Sequence, residues 1–149
     1  MTDYFKLTSP CGLDCFNCPI HEDNITDQIR NHLAGQLGIE PGIIDCRGCR
    51  EQPGCSIPHE DCATLKCVLQ KSLDFCYECG EFPCSLLQPC ADGAKRFPHN
   101  FKLYNLCRIQ RIGLQEWAED EAAEIRKRYY NGRFVIGRGP VLKESRSES

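Results

Sequence analysis

No run of apolar residues in this sequence approaches the roughly 20 needed to cross a bilayer, which excludes an integral helical membrane protein. Residues Met1 to Pro10 include Asp3 and Lys6 and lack the apolar centre of a secretory signal, so a cytoplasmic location is expected. A reducing compartment argues against a disulfide framework. Ordinary apolar residues are also scarce. Only 41% of the 149 residues are hydrophobic, by a count that includes 13 cysteines, so one large hydrophobic core is not what the composition provides for.

Cysteine is what the chain has in excess, far above ordinary usage, and it points to covalent or coordinate cross-links. An odd count fits a closed set of disulfides poorly, whereas metal-bound thiolates carry no parity rule. The formal charge of −3 treats each thiol as neutral. A four-thiolate zinc site carries a charge of about −2, so a metal-loaded body would be more acidic still. That argues against nucleic acid as a partner, because phosphate binding needs a basic face.

Glycine and proline divide the chain. Cys11-Gly12-Leu13-Asp14-Cys15-Phe16-Asn17-Cys18-Pro19 reads as an irregular loop folded around something. Ile25, Ile29, Leu33 and Leu37 recur at every fourth position and predict a helix from about Asp23 to Leu37, ended by Gly38 and Pro41-Gly42. From Cys46 to Cys84 the breakers Gly48, Pro53, Gly54, Pro58 and Gly80 leave room only for short elements. A helix capped by Asp61 and running through Ser72 is one, and another has Pro83 in its first turn.

From about Asn100 the helical period returns. Leu103, Leu106, Cys107 and Gln110 define one face, and after Gly113 a second is defined by Leu114, Trp117, Ala118, Ala122 and Ile125. Together they predict a C-terminal helix pair. Asn131-Gly132 reads as a C-cap. The domain is therefore expected to span residues 1–132, with 133–149 a basic, mobile tail. The fold class is a small, metal-organised, cysteine-rich and mainly α fold, with irregular zinc-knuckle loops, short helices and the helix pair.

A C-x-x-C turn points two sulfurs at one centre, and two such turns complete a tetrahedron. Cys15-x-x-Cys18 pairs naturally with Cys46-x-x-Cys49, and His59-x-x-Cys62 with Cys76-x-x-Cys79. An internal repeat supports the second pairing: His59-x2-Cys62-x4-Cys67 is echoed by Cys76-x2-Cys79-x4-Cys84. Cys11, Cys67 and Cys84 are left over and, with Cys55, would make a third site, so two or three zinc ions are expected. His59 could equally be a loop histidine and Cys55 a free thiol. Cys107 reads as core and Cys90 as unliganded, while His21, His32 and His99 read as surface residues without ligand partners.

The Cys11-Gly-Leu-Asp-Cys15 opening, the Cys46-Arg-Gly-Cys49 turn, the Phe75-Cys-Tyr-Glu-Cys-Gly-Glu-Phe-Pro-Cys84 block and the Ile112-Gly-Leu-Gln-Glu-Trp117 segment resemble a prokaryotic family, domain of unknown function family number 3795, over about residues 8 to 120. The resemblance implies a zinc-binding, cysteine-rich fold without an assigned activity. It implies metal-ligand roles for Cys11, Cys15, Cys18, Cys46, Cys49, Cys62, Cys67, Cys76, Cys79 and Cys84. The chain departs from the family at His59, where cysteine is common, and at Cys107, which is its own.

Three functional readings follow. Closed four-ligand zinc sites suit a structural module that binds an unidentified protein partner, with the helix pair and the segment Arg126 to Arg146 as contact surfaces. The spacing Cys11-x3-Cys15-x2-Cys18 is also that of the radical S-adenosylmethionine cluster loop, so an iron-sulfur redox protein or small radical-type enzyme is the alternative. Against it stand the aromatic Phe16 directly after Cys15 and the short chain. A zinc hydrolase or deaminase would need a base such as Glu60, Asp61 or Glu78 beside an open metal, yet neither H-E-x-x-H nor H-x-E with a following P-C-x-x-C occurs. Binding is expected before catalysis.

Overall fold

In the computed structural model, which describes residues 1–54 and 62–143, the first helix begins where the sequence supplies a cap. Thr26 Oγ1 accepts a hydrogen bond from the Ile29 N–H at 3.2 Å, so α1 spans Asp27–Leu37 instead of starting at Asp23. The residues before it are held by the His21 carbonyl, which accepts from the N–H groups of Asn24 and Ile25. Gly38, at φ +66°, ends α1 in the left-handed conformation. Of the expected apolar stripe, Ile25, Ile29 and Leu33 are half-buried and Leu37 is exposed; Ala34 is the buried residue of α1.

Helix α2 spans Ala63–Gln70, and its N-cap is a cysteine. The Cys62 sulfur accepts from the Leu65 N–H at 3.4 Å, and Thr64, Leu65 and Val68 face inward. The cap expected at Asp61 lies outside the described residues. Pro83 follows a cis peptide, and the next 3₁₀ turn, Ser85–Leu87, starts two residues beyond it, so Pro83 does not open a helix.

Helix α3 spans Lys102–Ile112 and stops at Gly113, whose φ of +91° an L side chain rarely adopts. Leu114–Glu116, a π turn at Trp117–Glu121 and Ala122–Asn131 then follow without a break as α4. The extra residue of the π turn sets Ala122, not Glu121, one turn after Trp117, so Trp117, Ala118 and Ala122 all stay on the buried side. Arg108 on α3 donates two hydrogen bonds to the Glu121 carboxylate at 2.8 and 2.6 Å. The helix pair is thus present, but α3 is turned from its expected face. Lys102, Asn105, Leu106 and Ile109 are buried, while Cys107 and Gln110 are exposed, which removes Cys107 from the core.

The buried apolar cluster comprises Cys11, Leu13, Val68, Phe75, Cys76, Leu87, Phe101, Leu106, Ile109, Trp117, Ala118 and Ala122. Cys11 and Cys76 thus pack as core residues among side chains from both ends of the chain. Among the described residues there is no strand, only three isolated bridges between extended residues. The protein is small, mainly helical and cysteine-rich.

The helix pair is the platform for the first cysteine loop. Gly12 lies so close to α3 that a Cβ there would meet the Lys102 carbonyl oxygen at 2.8 Å and Leu106 Cγ at 2.9 Å. The buried Asn105 amide donates to the Gly12 carbonyl at 2.7 Å. Phe16 meets Trp117 of α4 edge to face, with ring centroids 5.8 Å apart.

Candidate metal centre

Two of the three C-x-x-C segments fold into the same turn. Cys15–Asn17 and Cys76–Glu78 are 3₁₀ turns in which the fourth residue's N–H returns to the first cysteine's carbonyl, at 3.0 Å for Cys18 and 3.1 Å for Cys79. The third, Cys46-Arg47-Gly48-Cys49, turns at Gly48 with φ +90°.

One group of sulfurs forms where Cys76 meets the remote cysteines. The Cys76 N–H bonds to the Pro10 carbonyl at 2.9 Å, which brings the loop at residue 76 against the one at residue 11. Burial pushes the Cys76 thiol up to about 12, and the negative charge available to Cys11, Cys84 and Cys67 pushes in the same direction. Cys67, Cys76, Cys79 and Cys84 line one cavity of about 330 Å³ with Lys71, Thr64 and Leu87. At its mouth Lys71 Nζ donates to Cys79 Sγ at 3.1 Å, and the Glu81 N–H donates to the same sulfur at 3.4 Å. The backbone N–H of Glu81 and then the Lys71 ammonium hold the Cys79 thiol below its usual range.

The other group joins the first and third turns. A parallel bridge links His21 to Cys46, and the Glu22 N–H donates to the Cys46 carbonyl at 2.8 Å. Burial raises the Cys18 thiol, the Ile20 N–H and Arg126 act against that, and Cys46 adds to it. The Gln52 side-chain amide, itself buried, donates to Cys46 Sγ at 3.6 Å. Arg50 feels both Cys49 and Cys15, and burial lowers its pKa. It donates to the carbonyls of Phe5, Thr8 and Asp74, and so ties the N-terminal arm to the turn before Cys76.

These groups cut across the spacing-based pairs. Cys46 lies near enough to Cys18 to act on its thiol, and Cys76 and Cys79 share their cavity with Cys67 and Cys84. Cys62 instead packs beside Gly54, where an added Cβ would lie 3.2 Å from the Cys62 Cβ. Cys55 and His59 lie outside the described residues. Cys90 and Cys107 are exposed. His21, expected at the surface, is 2% exposed; its Nδ1 accepts from the Asp23 N–H at 3.2 Å, and its buried Nε2 has no hydrogen-bond partner among the described residues. The sequence did hold a signal for it that the surface expectation passed over: His21 stands three residues after Cys18, the same spacing as His59-x2-Cys62, and the bridge to Cys46 sets it beside the third turn.

The donor set fits a thiophilic ion in kind. The sulfurs are soft, none of the twelve described cysteines is in a disulfide, and the Lys71 cation stands beside Cys79. Among the described residues, no three His, Cys, Asp or Glu side chains are drawn close enough to hold a metal ion as they stand.

A family model described as protein of unknown function (DUF3795) matches residues 7–89. The chain belongs to that family. The match takes in every cysteine of both groups and ends before α3, so the Gly113 to Trp117 segment lies beyond it. No curated protein and no solved structure matches the chain. No helix among the described residues is long and apolar enough to cross a membrane.

Proposed function

We propose that this member of the DUF3795 family is a zinc-binding protein whose ions are structural and whose role is to present a surface to a protein partner in the cytoplasm. The observation that carries the reading is the single cavity that Cys67, Cys76, Cys79 and Cys84 line together with Lys71. Four thiolates there would be acutely repulsive without a cation, and a zinc ion bound by all four would leave no open position for substrate. Cys15, Cys18, Cys46 and Cys49 would hold a second ion, with the Gln52 amide donating to one of its thiolates. Cys11, Cys62, Cys55 and His59 are the remaining candidate ligands.

The iron-sulfur alternative needs Cys11, Cys15 and Cys18 on one cluster. Cys11 Sγ is 3.1 Å from Ser9 Oγ and packs in the core with Cys76, whereas Cys18 lies near Cys46, and this division favours the zinc reading.

The test is elemental analysis and visible absorption of protein purified without oxygen. Two to three zinc ions in a colourless protein, lost when Cys76→Ala and Cys79→Ala are combined, would agree with the proposal. Iron with acid-labile sulfide would replace it with a redox reading. Unchanged fold and metal content in the double variant would sink the assignment of these two ligands.

A further inference from the structure

The segment after α4 is folded, and it is folded so as to expose what a soluble surface usually hides. Arg133 and Val141 exchange backbone hydrogen bonds of 2.8 and 3.1 Å, the Arg138 N–H returns to the Val135 carbonyl at 3.0 Å, and Gly137 takes φ +79° at the tip. This hairpin is locked onto α4. The Arg128 guanidinium donates to the Pro140 carbonyl at 3.4 Å, and a Cβ on Gly132 would collide with the Arg128 carbonyl oxygen and lie 2.6 Å from Pro140 Cβ. In this fixed frame Phe134 is 89% and Ile136 87% exposed. Two large apolar side chains held in water by an ordered turn mark a contact surface.

The charge around the tip selects the partner. Arg126, Lys127, Arg128, Arg133, Arg138 and Lys143 follow one another with no Asp or Glu between them, in a chain whose net charge is −3. Arg126 is committed to Asp14 and Arg128 to Glu124. Lys127, Arg133, Arg138 and Lys143 have no ion pair among the described residues. Lys127, Arg133 and Lys143 instead line one open cleft of about 540 Å³ with Asn131 and Leu142. A concave basic cleft beside an apolar tip is complementary to a chain segment that carries carboxylates next to aliphatic side chains. A flat anionic bilayer fits it less well: the concavity stays out of reach, and the acidic remainder of the body is repelled.

We infer that the hairpin of residues 133–141 and the Lys127/Arg133/Lys143 cleft form the docking site for an acidic, aliphatic-rich segment of a partner protein. This gives a location and a chemistry to the interaction-module reading on which it builds. The probe is a fluorescent peptide of alternating Glu and Leu, titrated by anisotropy into the full-length, metal-replete protein. A Lys-Leu twin and phosphatidylserine vesicles serve as comparisons.

The expected result is binding of the Glu-Leu peptide alone, weakened by salt. The combined Phe134→Ser and Ile136→Ser changes should reduce affinity at least tenfold, as should combined Arg133→Gln and Lys143→Gln. All four side chains are exposed, so circular dichroism and metal content should stay unchanged. Equal binding of the Lys-Leu peptide, retained affinity in both variants, no binding at all, or binding to vesicles in place of the peptide would overturn the inference. Peptide binding by a protein that holds no zinc would leave the docking site standing and remove only the metal reading.

Discussion

Arg126, near the end of α4, donates three hydrogen bonds of 2.7 to 3.1 Å to the carboxylate of Asp14, which is 0% exposed and sits between the ligand candidates Cys11 and Cys15. The pair spans 112 residues and fastens the last helix to the first cysteine loop. The guanidinium also lies 5.5 Å from the centre of the Phe101 ring and acts on the Cys18 thiol. A buried carboxylate with one cation is stable only while that cation is present.

Arg126→Ala is therefore expected to destabilise the protein by about 3–5 kcal/mol, read as a lower urea midpoint, because it leaves Asp14 charged and unpaired. Arg126→Lys should recover only part of the loss, since an ammonium lacks the planar fork that meets both carboxylate oxygens. Equal midpoints for Arg126→Ala and wild type would show that the pair does not fasten the loop.

Gly12→Ala should cost about 2 kcal/mol or more. Its φ is +92°, and the added Cβ would press on the backbone oxygen of Lys102, which has no rotamer by which to move away. Gly35→Ala, on the open face of α1 with nothing within 4 Å, is the matched control and should be neutral or stabilising in the same melt.

Cys107→Ser should leave the urea midpoint within about 0.5 kcal/mol of wild type and the metal content unaltered, since Cys107 is exposed on α3. Loss of zinc in this variant would mean that the thiol reaches a metal after all.

Acid should weaken the clasp between α3 and α4. The hydrogen bond from Arg108 lowers the pKa of Glu121 against a smaller opposing effect of burial. A carboxylate whose folded pKa lies below its unfolded value contributes stability that is present above the unfolded value, near 4.5, and is lost as pH falls through the folded one. Glu121→Gln should accordingly lower the melting temperature near neutral pH and converge on wild type below that window. A constant difference at all pH values would contradict the assignment.

Local signals were legible where they are strictly local. Gly38 and Gly113 as stops, and the stripe through Trp117, Ala118 and Ala122, follow from steric and periodic rules that act over a few residues, whereas the Thr26 cap that starts α1 was missed and the helix was begun at Asp23. The face of α3 was misread because periodicity treats burial as apolar. Lys102 and Asn105 are buried, and Asn105 is there because the Gly12 carbonyl needs a donor. His21 was misplaced at the surface although Cys18-x2-His21 repeats the spacing of His59-x2-Cys62; its meeting with Cys46 is a long-range bridge that spacing does not announce.

By itself the sequence determined that this is a cysteine-rich, mainly helical chain of the DUF3795 family with repeated two-cysteine turns, because composition and spacing are one-dimensional properties. Which sulfurs share a neighbourhood was decided only by the tertiary structure. Cys76 and Cys79 lie with Cys67 and Cys84, and Cys11 lies behind them in the core. Spacing constrains a pair of ligands within one turn, whereas the meeting of two turns depends on the helices, buried carboxylate and arginines that hold the loops in place.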